Sequence, residues 1–334
     1  MKGVWAKIKG WVDPYILLLF GMVALAAVLP ATGPAVQPVE LATDLAVALL
    51  FFLYGARLSA DQTLQGIKHW RLHSLVLGFT YVLFPVLGVI TAFLTRPIIG
   101  PELAAGMLFL TLLPSTVQSS VAFTSIAHGN VAASIVAASV SNLLGVLLTP
   151  LLVTLAMGAA AGVNLGTIRS LFLQLVLPFV LGQLVHRWLG GFLARHKSVT
   201  SKVDRGAILL VVYAAFSAGM RDNMFSRLSG WQLVALLVVC CALLAVIMAA
   251  TMVISKALGF SWPDRTAIIF AGSKKSMASG LPMAQIIFPA ATVGILVLPL
   301  MLFHQIQLMV CAQLARRWSK LPPVEDAAVT GEER

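Results

Sequence analysis

The sequence predicts an all-α polytopic membrane protein with ten transmembrane helices, and three observations support this prediction. The chain is 59% hydrophobic and only 10% charged, a composition outside the range of ordinary soluble domains. Apolar runs of about 20 residues, the length that a helix needs to cross a bilayer, recur along the whole chain. The net charge of +11 comes from basic residues in the short segments between these runs, which favours a membrane protein over a nucleic-acid-binding face.

The ten predicted spans follow the apolar runs in order. Their limits are 14–30, 40–58, 73–95, 101–127, 130–157, 169–189, 204–222, 231–258, 263–288 and 291–315. The longest loop is expected near residues 190–203. The fourth and ninth spans differ from the others, because polar residues, glycine and proline interrupt them and weaken the helical hydrogen-bond ladder. Residues 319–334 are polar and acidic, and are predicted to be a disordered cytoplasmic tail.

The distribution of positive charge predicts the orientation. Apart from Lys274 and Lys275, the basic residues outside the spans fall on one side of the membrane, with only four exceptions: Arg96, Arg169, Arg221 and Arg227. Loops rich in lysine and arginine stay in the cytoplasm. Both termini are therefore predicted to be cytoplasmic, which agrees with an even number of spans.

The two interrupted spans occupy corresponding positions in the two halves of the chain. Ser115 in the first interruption and Ser273 in the second lie about half a chain length apart. Because five spans per half is an odd number, the halves would insert in opposite directions. The sequence thus predicts an inverted repeat, with spans 1–5 in residues 1–157 and spans 6–10 in residues 158–318. Broken helices at matching positions are the usual sequence indication of a transporter site.

The candidate binding site consists of polar residues in and around the two interruptions. A lysine at the bilayer centre costs about 2.5 to 3.5 kcal/mol on insertion scales, so the lysine pair is expected to face a bundle interior or a cavity. Half-helix N-termini beside a lysine would suit an anionic group. The alternatives are that the serines bond back to their own helices or pack, and that His304 is a structural histidine. The candidates are Ser115, Thr116, Gln118, Ser119, Ser120, Ser134, Ser273, Lys274, Lys275, Ser276 and His304.

The chemistry available at mid-membrane is limited. No aspartate or glutamate lies there, so a carboxylate proton relay is not predicted. Lys274 or Lys275 could carry a coupled proton, or could act as a fixed positive charge where another protein binds a metal cation. The phosphate loop, the H-E-x-x-H motif and the nucleophile elbow are all missing from the sequence. Neither an enzyme nor a cofactor beyond a coupling ion is predicted.

Three segments carry a resemblance to a known family. PSTVQSSVAFTSIAHGN, SIVAASVSNLLGVLLTPLL and GSKKSMASGLP, in this order, resemble the bile acid:sodium symporter family, specifically its symporter-like branch of bacterial proteins and orphan solute carriers. The likeness covers roughly residues 10–318. It implies a panel domain of spans 1, 2, 6 and 7 and a core domain of spans 3–5 and 8–10. It also implies sodium sites at the crossover of the interrupted spans and, for a bacterial member, a place in the inner membrane.

The resemblance also identifies positions where this chain departs from the family. Three serines match sodium-ligand positions: Ser119, Ser120 and Ser134. The threonine expected in span five falls on Ala138, the glutamate expected in span nine on Ala271, and the glutamine after it on Lys275. Losing the carboxylate and gaining a lysine removes the charge that would hold Na⁺. The comparison therefore implies that Lys275 stands in for the bound cation.

The predicted function is secondary active transport of a small organic anion across a lipid bilayer by alternating access. A homodimer is one of the oligomeric states that the sequence leaves open. Removal of Lys275 is expected to abolish anion binding while the protein still folds. The competing hypothesis is a membrane regulator or scaffold that transports nothing, whose lysines are locked in a structural network. In that case loss of either lysine would cause misfolding. A third hypothesis is an intramembrane hydrolase with Ser273 or Ser276 as nucleophile and lysine as base.

Overall fold

The computed structural model describes most of the chain. It covers residues 14–57, 69–158, 172–221 and 228–320, together with Arg169, Asn223 and Ser226. Every regular element in this part of the chain is helical, and 7 helices are long and apolar enough to cross a membrane. The protein is thus a multi-pass membrane protein. The predicted tail at 319–334 lies outside the described residues, except for its first two.

The helices follow the predicted spans closely. The first half of the chain forms α1 (Pro14–Val28), α2 (Val36–Arg57), α3 (Trp70–Ile99), α4 (Pro101–Thr111), α5 (Gln118–Ile126) and α6 (Val131–Met157). The second half forms α7 (Phe172–Arg195), α8 (Lys197–Arg221), α9 (Gly230–Ala257), α10 (Trp262–Gly272), α11 (Met277–Ile287) and α12 (Ala290–Trp318). The chain leaves the helical conformation between α4 and α5 and between α10 and α11, where the fourth and ninth spans were predicted to be interrupted.

One predicted loop is wrong. Residues 190–203 are helical, because α7 continues to Arg195 and α8 begins at Lys197, with only His196 between them. A window of hydropathy detects the part of a helix that lies in lipid, whereas a polar helix end continues into water with the same backbone hydrogen bonds. The charged residues of this region therefore lie on helix ends rather than in a loop.

The helices that precede the two interruptions begin alike. Pro101 and Glu102 open α4, and Pro263 and Asp264 lie in the first turn of α10. Proline suits the first turn because its missing N–H would have no helical partner there. An acidic residue in that turn interacts favourably with the positive end of the helix dipole. These features fix where each half-helix starts.

The chain divides into two compact units, each assembled from three segments. The first unit contains Met1–Ser59, Pro150–Leu233 and Ala278–Leu298, and the second contains Ala60–Thr149, Val234–Met277 and Pro299–Arg334. Two of the boundaries fall at prolines inside long helices, at Pro150 in α6 and at Pro299 in α12. Each unit therefore receives segments from both halves of the sequence.

In the first unit, α2 and α7 approach each other until their backbones touch. A Cβ atom placed on Gly55 would lie 2.0 Å from the carbonyl oxygen of Phe179, and one placed on Gly182 would lie 2.0 Å from that of Phe52. Small residues at such crossings are the usual means by which membrane helices pack closely. At one end of this unit, Arg57 donates two hydrogen bonds to Asp204, at 2.6 and 3.2 Å.

In the second unit, the helices around the interruptions pack as pairs. Gly88 of α3 lies against the side chain of Thr111 at the end of α4. Phe123 of α5 packs on Phe270 of α10, with ring centroids 5.8 Å apart. Gly145 of α6 lies against the ring of Pro114, in the first interruption. These contacts place both interruptions in the interior of one unit.

Candidate functional site

The first interruption, between α4 and α5, carries backbone carbonyls that no helix satisfies. A helix leaves its last four C=O groups without an internal partner, and buried carbonyls are rarely left unpaired. Here each carbonyl from 111 to 115 accepts a hydrogen bond. The donors are Lys275 Nζ for Thr111 and Leu113, Thr149 Oγ1 for Leu112, the Ser276 N–H for Pro114 and Asn142 Nδ2 for Ser115. Polar groups on α6 and in the second interruption thus stabilise the first.

The second interruption, residues 273–276 between α10 and α11, is satisfied by side chains in the same way. Gln307 of α12 accepts a hydrogen bond from the Lys275 N–H at 3.0 Å and donates one to the Lys275 carbonyl at 2.9 Å. The side-chain amide of Gln307 thus pairs with both backbone groups of Lys275, as an adjacent β-strand would do. Ser115 donates to the carbonyl of Ala271, and Ser120 donates to that of Phe270 at 2.8 Å. The two interruptions are therefore linked directly.

The Lys275 side chain is fully buried and uses all three of its protons. Its ammonium donates to the carbonyls of Thr80, Thr111 and Leu113, at 2.8, 2.7 and 2.7 Å. It also lies 4.2 Å from the centre of the Phe84 ring, a distance at which a cation is attracted to the ring face. A lysine carries three donors. This ammonium therefore has no donor left for another ligand.

The sequence explains why the Thr80 carbonyl is free to accept. Residues 79–83 of α3 form a π-helical turn, in which the Phe84 N–H bonds to Phe79 rather than to Thr80. The next residue that could donate to Thr80 is Pro85, which has no N–H. A π turn is a common device at functional sites. Here it presents one carbonyl to Lys275.

Lys274 is equally buried but has a different environment. Its ammonium makes one long hydrogen bond, 3.5 Å to Ser119 Oγ, and lies 4.0 and 5.3 Å from the ring centres of Phe123 and Phe270. Within the described residues no carboxylate pairs with it. An unpaired buried charge is costly. The amine of Lys274 thus lacks a carboxylate partner among the described residues and has donors to spare, close to the first turn of α5.

The region beside Lys274 is partly open. Gln118 is exposed and Ser119 is half-buried, whereas Thr116 and Ser120 are buried. The Thr116 hydroxyl is shared between the hydroxyls of Ser119 and Ser120. These groups form a row of hydroxyls at the N-terminal end of α5. Of these hydroxyls, the half-buried one of Ser119 lies 3.5 Å from the ammonium of Lys274.

The three predicted sodium ligands are only partly brought together. Ser119 and Ser120 are adjacent on α5, but the hydroxyl of Ser120 is committed to the Phe270 carbonyl. Ser134 of α6 accepts a hydrogen bond of 3.2 Å from Thr124. Thr124 lies about one helical turn beyond Ser120 on α5, so Ser134 is separated from the other two serines. In the described residues no group of three or more His, Cys, Asp or Glu could hold a metal.

The remaining candidates have local partners. Ser273 donates back to the carbonyl of Ile269 at 2.6 Å, so its hydroxyl serves its own helix. His304 shares a hydrogen bond of 2.9 Å with Gln307, which connects it to the second interruption. The N–H of Ser276 joins that interruption to Pro114.

Sequence analysis missed several residues that build this site. Thr80 and Thr111 contribute through their backbone carbonyls, which carry no signal in residue type. Tyr81 donates to the carbonyl of Ser141, and its hydroxyl in an otherwise apolar run was a signal that could have been used. Pro85 was the other available signal, because a proline within a span frees a carbonyl upstream of it.

The Gln307 link gives a testable prediction about stability. We expect Gln307→Leu to lower the free energy of unfolding by about 2 to 4 kcal/mol, since the N–H and C=O of Lys275 would both be buried without partners. Thermal unfolding in detergent measures this. Gln305→Leu is the matched control, because it makes the same change two residues away on the same helix. Equal melting temperatures for the two variants would contradict the proposed link.

The geometry defines a class of protein. Two interrupted helices whose polar interruptions bond to one another, inside an all-helical membrane chain, are the architecture of a polytopic membrane transporter. Residues 13–320 match the SBF-like CPA transporter family. The chain belongs to this family, which confirms the resemblance to the bile acid:sodium symporters and identifies a transporter rather than an enzyme.

Individual relatives agree with this assignment. An uncharacterized protein of Pseudomonas aeruginosa is 49% identical over 310 residues, which is 92% of this chain and 93% of the relative. The "Putative symporter YfeH" of Escherichia coli is 47% identical over 309 residues, with the same coverage. Sodium/bile acid cotransporter 7 of Xenopus tropicalis is 29% identical over 306 residues, which is 90% of this chain and 89% of the relative.

Proposed function

We propose that the protein is a secondary active transporter of a small organic anion. It works by alternating access, with its binding site where the interrupted fourth and ninth spans cross. The observation that carries this proposal is the ammonium of Lys274, which is fully buried, unpaired by any described carboxylate, and 3.5 Å from the half-buried hydroxyl of Ser119. A buried cation with free donors is a site for an anionic ligand.

The proposed topology has ten spans in two inverted repeats. In it, α4 with α5 and α10 with α11 each count as one broken span, and the repeats are residues 1–157 and 158–318. In this proposal spans 1, 2, 6 and 7, which lie in the first compact unit, form the panel domain, and the second unit contains most of the core domain. The compact units differ from the expected domains in two places, because the end of α6 and the segment Ala278–Leu298 of spans nine and ten fall in the first unit. Both termini face the cytoplasm of a bacterial inner membrane, as the distribution of basic residues indicates.

The two lysines have separate roles in this proposal. Lys274 contributes the positive charge that attracts the carboxylate or other anionic group of the substrate, together with the hydroxyl of Ser119. Lys275 replaces part of the sodium site, because its three donors are all bound to backbone carbonyls. This assignment revises the expectation that Lys275 itself contacts the anion.

The proposed coupling ion is Na⁺ or a proton. Relatives named sodium/bile acid cotransporter 7 suggest Na⁺, whereas the lost glutamate and the buried lysine favour Na⁺-independent transport. Ser119, Ser120 and Ser134 are the sodium ligands that remain. A proton is the alternative coupling ion.

A membrane regulator or scaffold is the second candidate function. The observation that favours it is the complete satisfaction of Lys275, which is what a structural network predicts. It differs from the transporter in what it predicts for Lys274, whose ammonium has no such network. The two hypotheses therefore predict different effects of a Lys274 substitution on transport and on folding.

The test is transport by the purified protein in proteoliposomes. We expect counterflow of at least one radiolabelled carboxylate from a panel of small mono- and dicarboxylates, with gradients of Na⁺ and of protons imposed separately. An inward gradient that accelerates uptake identifies the coupling ion. If no member of the panel exchanges, and none raises the melting temperature, the transporter proposal fails and the regulator is favoured.

A further inference from the structure

The ammonium of Lys275 occupies a cage made entirely of backbone oxygens. The three oxygens come from separate places in the second unit: Thr80 from the π-helical turn of α3, Thr111 from the end of α4, and Leu113 from the first interruption. None of these carbonyls accepts the hydrogen bond from the N–H four residues later that an uninterrupted α-helix would supply. Two breaks in helical hydrogen bonding, the π-helical turn of α3 and the first interruption, thus converge on one point.

The arrangement resembles a binding site for a monovalent cation. Inside proteins and membranes, cations are often held by carbonyl oxygens released from helices by unwinding. The distances of 2.7 to 2.8 Å are those of charge-assisted N–H···O bonds. The ring of Phe84 lies 4.2 Å away and adds a second kind of group that favours a cation. The number of oxygens equals the number of protons that a primary ammonium can donate.

We propose that these three carbonyls form a cation site whose resident ligand is the covalently attached ammonium of Lys275. The inference rests on the proposed function, in which Lys275 replaces part of the sodium site. It goes further by naming the ligands, which are backbone oxygens rather than the three candidate serines, and by naming the class of ligand, a primary ammonium ion. The interruptions then need no metal ion at this point.

A cage emptied by substitution of Lys275 is expected to bind a free alkylammonium ion. Shortening Lys275 to alanine removes three methylene groups and the amine, which together have the size and charge of n-propylammonium. The three carbonyls would be left buried without donors, which destabilises the fold. Because the cage itself is backbone, it survives the substitution and can take up the free ion.

The experiment is chemical rescue of Lys275→Ala in detergent. We expect the melting temperature to fall by on the order of 10 °C, and to recover by at least half of that fall in millimolar n-propylammonium chloride. Wild type should shift little with n-propylammonium, Na⁺ or K⁺, because its cage is filled. If Lys275→Ala is too unstable to purify, its folded fraction after extraction with and without n-propylammonium, measured by size-exclusion chromatography, serves as the readout.

Three controls make the result decisive. n-Propanol has the same chain without charge and should not rescue. Lys275→Met fills the cage with an apolar side chain and should be destabilised without responding to n-propylammonium. Lys274→Ala should not respond either, because its surroundings offer no carbonyl cage. Rescue by propanol, rescue of all three variants alike, or no loss of stability in Lys275→Ala would each overturn the proposal.

The outcome is independent of transport. Melting temperatures report on the cage even if no substrate is found, so the cage can be confirmed while the transporter proposal fails. Conversely, substrate counterflow by wild type together with no rescue of Lys275→Ala would leave the transporter in place and remove the cage.

Discussion

Lys274→Met is expected to abolish anion uptake while leaving the protein folded. The substitution keeps an unbranched side chain one atom shorter than lysine and removes the charge, in surroundings made by the rings of Phe123 and Phe270. Losing the charged partner of a buried ionic group costs about 2 to 5 kcal/mol, so uptake or affinity should fall by roughly 30-fold to several thousand-fold. The melting temperature should stay the same or rise, since replacing a poorly paired buried charge by an apolar group is often neutral or stabilising.

The measurement is initial uptake of a substrate identified with wild type, together with the melting temperature of each variant. Lys256→Met is the matched control, because Lys256 is an exposed lysine of α9. Lys274→Arg tests charge alone and should retain some uptake. Wild-type uptake by Lys274→Met would exclude Lys274 from the binding site. Misfolding of Lys274→Met would instead support the structural network of the regulator hypothesis.

Gly182→Ala should destabilise the first unit severely. The added Cβ would lie 2.0 Å from the carbonyl oxygen of Phe52 and 2.9 Å from the backbone nitrogen of Ala56. Because these atoms belong to the backbone, α2 and α7 would have to separate. Overpacking of this kind costs about 3 kcal/mol, so the melting temperature should fall by roughly 5 to 10 °C.

Gly191→Ala on the same helix is the control, since a Cβ there meets nothing within 4 Å. Alanine is the better helix former, and this variant should be as stable as wild type or more stable. The same detergent-based thermal unfolding measures both variants. If Gly182→Ala melts with wild type, the close approach of α2 and α7 is incorrect.

The interruptions of the fourth and ninth spans were predictable because particular residue types cause them. Glycine, proline and serine in an apolar run weaken the helical hydrogen-bond ladder. Two adjacent lysines in such a run are expected to face the protein interior, because exposure to lipid is costly. Helix positions were predictable for a related reason, since the bilayer demands about 20 apolar residues for each span. The family resemblance depended on the same stretches.

The extent of the polar helix ends was not predictable from hydropathy. Residues 190–203 carry charge and lack a long apolar run, yet they continue α7 and begin α8. In water as in lipid, the N–H and C=O groups of the backbone satisfy their hydrogen bonds by forming a helix. Polarity alone therefore did not separate loop from helix.

Apolar length and helix-breaking residues were enough to predict an all-helical membrane chain, two broken spans and a buried lysine pair. The difference between Lys274 and its neighbour emerged only from the folded contacts. Lys275 donates to three carbonyls, one in the π-helical turn of α3 and two at the first interruption, while Lys274 has one long hydrogen bond and two aromatic rings beside it. The physical reason is that backbone carbonyls have the same chemistry in every residue, so their availability depends on where helical hydrogen bonds are broken and on how the chain folds around them.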